Sequence, residues 1–158
     1  MIESIPDILT EELSRLQDEI IENHEKEGQV VTGKTRKSFS HYLVSDNRGI
    51  LEGAAYVGVL ERGRGSARRS GGGGSSNFLD NLKEWIRVRW NDVKGEEDLE
   101  RKAKFLKWYL NKFGSKNYRE GKHIDIFTKS IDNFIDRVTS RVGQHFETRV
   151  KNEIFKKE

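Results

Sequence analysis

Cysteine is absent from this 158-residue chain, which removes disulfides, thiolate catalysis and cysteine-type zinc sites together. Proline occurs once, as Pro6. No run of about 18 apolar residues exists, so no transmembrane helix is expected. The opening MIESIPDILTEE lacks the basic and apolar regions of a signal peptide, so synthesis inside a cell is expected, with no membrane partner. Apolar material is scarce too: 34% of residues are hydrophobic, 35% are charged and the mean hydropathy is −0.81. The length suits a single domain over 1–158 with one moderate core, and so little apolar surface offsets ordering entropy poorly in a lone subunit. Oligomerisation would help.

What is present is charge, and it is sorted. Residues 1–27 carry nine acids against Arg15 and Lys26, a net of −7. Residues 28–75 carry eight bases against Asp46, Glu52 and Glu61, a net of +5. Opposite surfaces of this kind can meet when copies pack head to tail, or can simply be a solvated acidic helix and a solvated basic loop.

Ile8, Leu9, Leu13, Leu16, Ile20 and Ile21 recur at helical spacing, so 7–27 reads as an amphipathic helix closed by Gly28. Residues 30–31 and 38–45 read as strands, with a turn at 45–49 leading into a further strand, Ile50–Ala55. Residues 63–77 hold six glycines, four serines and three arginines, a flexible composition; Arg64, Arg68 and Arg69 there could order against a neighbour or against phosphates. Helices are expected at about 78–91, capped by Asn77, and at 97–113, ended by Gly114. Phe105, Trp108 and Tyr109 read as widening the apolar face of the second of these.

A long helix is expected over 124–157, with its apolar stripe at Phe127, Ile131, Phe134, Val138, Val142, Phe146, Val150 and Ile154. After Val138 every step is four residues, which turns the stripe by roughly 160° before Ile154. One flat partner cannot cover both halves. The first half is therefore expected on its own domain and the second on another subunit, with Phe146, Val150, Ile154 and Phe155 as contacts and a bend or break at Gly143. The fold class expected is α+β: a small antiparallel sheet of three or four strands packed by a long N-terminal helix, two mid-chain helices and a long C-terminal one.

Enzyme readings find little support. Gly28-Gln-Val-Val-Thr-Gly33-Lys34-Thr35 matches the phosphate-loop pattern G-x-x-x-x-G-K-[ST], but the charged end of a helix precedes it where a buried strand is needed. The four histidines are scattered, and acidic pairs such as Glu11-Glu12 and Glu96-Glu97-Asp98 read as helix starts. No catalytic, cofactor-binding or metal residues are assigned.

Two segments carry a resemblance. Thr32-Gly33-x-x-Arg36-x-Ser38 is followed about twenty residues later by Tyr56-x-x-x-x-Glu61-x-Gly63. Together they resemble the tail-completion or head-to-tail joining proteins of tailed bacteriophages, with the pattern T-G-x-L-R-x-S, a hairpin, then Y-x-x-x-x-E-x-G. Trp85, the 97–113 run and Gly114-Ser115-Lys116-Asn117-Tyr118-Arg119 echo one branch of that family. Thr35, Val59 and Ser115 depart from it. The resemblance implies a helical turn at 56–62 and a structural virion protein, not an enzyme. It would be made in the host bacterial cytoplasm and built into the neck as a ring of about six or twelve copies. It would touch sister subunits and the adjacent connector and tail proteins, and packaged DNA could pass through the lumen. A basic DNA- or RNA-binding regulator is the alternative, and a nucleotide-binding protein a third.

Overall fold

A computed structural model describes residues 3–28, 33–54, 56–66, 77–122 and 124–155. Where length suggests one domain, the chain groups into two compact units. Of the described residues, the first joins 3–28, 34–54 and 125–155; the second joins 33, 56–66, 77–122 and 124. The protein is mostly helical with one small sheet.

The first unit begins with helix α1, Ile5–Lys26. Ser4 caps it: its hydroxyl accepts the Asp7 N–H, the Asp7 carboxylate accepts the Ser4 N–H, and Pro6 sits in the first turn, where a missing donor costs nothing. Ile8, Leu13, Leu16 and Ile20 bury one face of α1. A one-turn helix α2, Lys34–Ser38, leads into β1, Ser40–Ser45, which pairs antiparallel with β2, Arg48–Glu52. The sheet lies against α1.

This sheet has two strands among the described residues, not three or four. Residues 30–31 lie outside the described residues. The strand expected to reach position 55 stops at Glu52 because the Ala54 N–H turns to the Ser38 hydroxyl at 3.2 Å instead of continuing a ladder. Ser38 in turn donates to the Thr35 carbonyl at 2.7 Å, so this motif serine ties α2 to the end of the hairpin.

Helix α6, Thr128–Phe155, completes the unit and packs on α1. Ile126 is fully buried just before it, Phe127 tilts against Phe39 at 6.5 Å, and the Asn23 amide donates to the Ser130 hydroxyl at 3.0 Å. The helix starts later than residue 124, whose N–H is committed to the Glu61 carbonyl. It also runs through Gly143 without a break. A single interior glycine costs only about 1 kcal/mol, which the flanking helical residues override.

In the second unit a short 3-10 turn, Val57–Val59, precedes α3, Phe78–Arg89, α4, Gly95–Phe113, and α5, Lys116–Glu120. The turn agrees with the helical alternative for 56–62. Asn77 precedes α3 but makes no side-chain cap. Leu82 and Ile86 of α3 meet Leu99 and Ala103 of α4, with Phe78, Trp90, Leu106 and Leu110 around them. Each large aliphatic buried there contributes about 1.5–3 kcal/mol.

Candidate functional site

Several of the motif residues, Gly63, Gly114 and Ser115 among them, fold into a structural joint. In the second unit, Gly63 has φ +78 and Gly114 has φ +77, the left-handed region where glycine is favoured. A Cβ on Gly63 would strike the Ser115 hydroxyl and lie 2.7 Å from the Tyr118 nitrogen; one on Gly114 would lie 2.8 Å from the Arg64 carbonyl. That bareness lets two segments 51 residues apart exchange hydrogen bonds. The Arg64 N–H donates to the Ser115 hydroxyl at 2.9 Å, and the Ser115 N–H donates to the Arg64 carbonyl at 2.8 Å. The glutamate-glycine motif and the Gly-Ser-x-x-Tyr-Arg turn are thus one joint.

Arg64 belongs to that joint and not to an outward arm. Its guanidinium lies 4.2 Å from the centre of the Phe78 ring and donates to the Asn111 side chain at 2.8 Å. Arg68, Arg69 and Thr32 lie outside the described residues. Glu61 is buried, with its carbonyl accepting the Ile124 N–H, whereas Tyr56 is exposed. In the first unit, Arg36 pairs with Glu25 at 3.3 Å on the surface.

The acidic face of α1 is largely occupied within its own unit. Arg137 and Arg141, one helical turn apart on α6, both face α1. Glu12, only 2% exposed, accepts from the Arg137 Nε at 2.6 Å and the Arg141 Nη1 at 2.7 Å. Arg137 also reaches Glu19 at 3.0 Å; Arg141 reaches Glu11 at 2.7 Å and Glu3. Burial pushes the Glu12 carboxyl up, but the hydrogen bonds and charges of the two guanidinium groups outweigh it and hold the group below its ordinary 4.5. Hydrogen bonds to Glu11, Glu3 and Glu12 raise Arg141 further above its already high value. So Glu11-Glu12 is not a helix start, and four of the nine acids are not available for a head-to-tail charge contact. By contrast, Glu96, Glu97 and Asp98 do stand in the first turn of α4, where Asp98 accepts the Lys94 N–H at 3.1 Å.

Apolar side chains on α6 and α4 stand exposed among the described residues. On α6, Phe134, Val138 and Val142 are half-buried, but Ile131 is exposed, so the first half of the stripe is only partly covered. Ile135, outside that stripe, is exposed beside it. From Phe146 to Phe155 no residue is covered: Phe146 and Val150 stand half in solvent, Ile154 is 62% exposed and Phe155 77%. On α4, Phe105 and Trp108 point outward instead of widening the core, at 59% and 51% exposed. Helix α3 packs on the face of α4 that carries Leu99 and Ala103, while Arg64 reaches Asn111 and Arg119 lies over Tyr109. Trp90 packs against that core, edge-on to Trp85 at 6.3 Å.

Helix α1, not a strand, precedes Gly28 of the phosphate-loop pattern, and Lys34 opens α2. Among the described residues no group of His, Asp and Glu is arranged to hold a metal ion, and no helix is long and apolar enough to cross a membrane. An open cleft of about 480 Å³ beside Trp90 and Val93 is bridged by the exposed Arg87–Glu96 pair at 2.8 Å. Buried His24 is held below its ordinary 6.5 by burial, with Glu25 opposing the shift. Comparison with protein-family profiles, with curated proteins and with solved structures gave no match.

Proposed function

We propose that this chain is a structural subunit of a tailed-phage neck, of the tail-completion type, acting by position and not by catalysis. Copies would close into a ring through repeated contacts, against the adjacent connector and tail proteins and around a channel for the genome. The observation that carries the reading is the distal third of α6, where Phe146, Val150, Ile154 and Phe155 stand exposed with no cover among the described residues. Such a contiguous apolar ridge suits a protein contact better than solvent. Support also comes from the order of the two motif segments and from their roles: Ser38, Gly63 and Ser115 set backbone geometry, as expected of a scaffold.

The decisive measurement is the native mass of the full chain across a concentration series, followed by imaging of any particles. The reading expects ring-sized assemblies that Val150→Ser with Ile154→Ser dissolves while helix content is kept. A monomer at every concentration, alone and with neck components, would sink it.

A further inference from the structure

We propose that the outward face of α4 is a binding surface for single-stranded nucleic acid, with Phe105 and Trp108 as base-stacking rings and Arg101, Lys104 and Lys112 as phosphate partners. The proposal goes beyond the assembly reading, and its failure leaves that reading standing. Arg101, Phe105, Trp108 and Lys112 follow a four-three-four spacing, which puts them within about 60° on one side of the helix. Lys104 stands beside them. The face is therefore cation, ring, ring, cation, running parallel to the helix axis.

Phe105 and Trp108 lie 5.8 Å apart with their planes tilted by only 35°, so they form a broad platform. Lys112 hovers 5.1 Å from the Trp108 ring and 5.3 Å from Phe113. No carboxylate pairs with Lys112 among the described residues. The Lys104–Glu100 pair, at 2.7 Å, is exposed and readily exchanged for phosphate, and Arg101 is itself solvent-exposed although its partner Asp98 is largely covered. Over residues 98–122 the chain carries eight bases against Asp98, Glu100 and Glu120, so the net charge around the platform is positive.

Three partner classes can be weighed on this geometry. A membrane-surface helix keeps its cations on the side opposite its rings, whereas here they share one row. Protein interfaces are depleted in lysine. Stacking rings with cations between them are what an unpaired strand uses, because every base offers a flat face and every linkage a charge.

The test is the fluorescence anisotropy of a labelled thymidine oligonucleotide of about 15 nucleotides, titrated with the full chain at low salt. Binding should weaken as salt rises, and Trp108→Ala should lower affinity about tenfold. Lys112→Ala should reduce the slope of log affinity against log salt by about 0.7. Val88→Ser, an exposed change on α3, should leave binding as it was. Because Phe105 and Trp108 are exposed, these variants should keep the parent circular dichroism, and Phe105→Ala provides a second ring deletion. The proposal is overturned by no binding at low salt or by ring variants that bind like the parent. Duplex binding at least as tight as the single strand also overturns it, as does Trp108-dependent binding to phosphatidylserine vesicles without binding to the oligonucleotide.

Discussion

The two units close their main helix pairs by different chemistry. In the second, α3 and α4 meet through Leu82, Ile86, Leu99 and Ala103, a contact made of aliphatic volume. In the first, α1 and α6 meet around Glu12, held by two guanidinium groups. Aliphatic contacts tolerate small slips and swaps if volume is kept. A buried carboxylate between two arginines does not, since a shift of one turn would leave charge unpaired where water is scarce. The first unit thus adds a register-sensitive charge cluster to the aliphatic packing of Ile8, Leu13, Leu16, Ile20 and Ile126, whereas the α3–α4 pair rests on aliphatic packing.

The largest effect should come from Ile86→Ala, which empties a fully buried site: a loss of about 4 kcal/mol, read as faster hydrogen exchange in α3 and α4 with α1 and α6 unchanged. Glu12→Ala should cost about 3 kcal/mol and loosen α1 and α6 instead, because Arg137 and Arg141 lose the partner they share. If both variants loosened all four helices equally, the contrast between the units would be broken.

Acid sharpens it further. His24 has a folded pKa below 6.5, so the unfolded chain binds its proton first and stability falls as pH drops below about 6.5. Glu12 has a folded pKa below 4.5, so its contribution is complete above that value and is lost as pH falls through the lower, folded value. Both groups are in the first unit. Thermal scans from pH 7 to 3 should show a decline beginning near pH 6.5, and His24→Gln should remove that upper limb while leaving the lower one. The smallest effect on folding belongs to Val150→Ser, within about 0.5 kcal/mol in a subunit, even as it strips the ridge proposed to meet a neighbour.

Much of this was legible in sequence because helices announce themselves by period. The stretches around Leu13–Ile20, Leu82–Ile86 and Leu99–Ala103 each lie within a helix of the structure. Period does not say how many sides of a helix are covered. That is why Phe105 and Trp108 read as core yet stand in solvent: α3 packs on the face of α4 that carries Leu99 and Ala103, and the two rings are on another. The pairing of Glu12 with Arg137 and Arg141 joins residues 125 and 129 positions apart, and no local pattern reports such a partner. The available signal was two arginines one turn apart beside Phe134 and Val138 on an otherwise apolar side. The second strand ends short of position 55 for a local reason, the diversion of one amide to Ser38. The exposure expected of Phe146, Val150, Ile154 and Phe155 was legible, since the drift of a four-residue repeat is visible in sequence.

The joint between Arg64 and Ser115 has an architectural consequence. The backbone departs from that point and comes back to it 51 residues later, so the intervening α3–α4 hairpin is a cassette with coincident ends. Exchanging such a cassette, or splicing in a longer or shorter version, should leave the backbone on either side in place if Phe78 and Asn111, which hold Arg64, are kept. Variation in this protein's reach and surface chemistry can accumulate there while the anchoring framework keeps its shape.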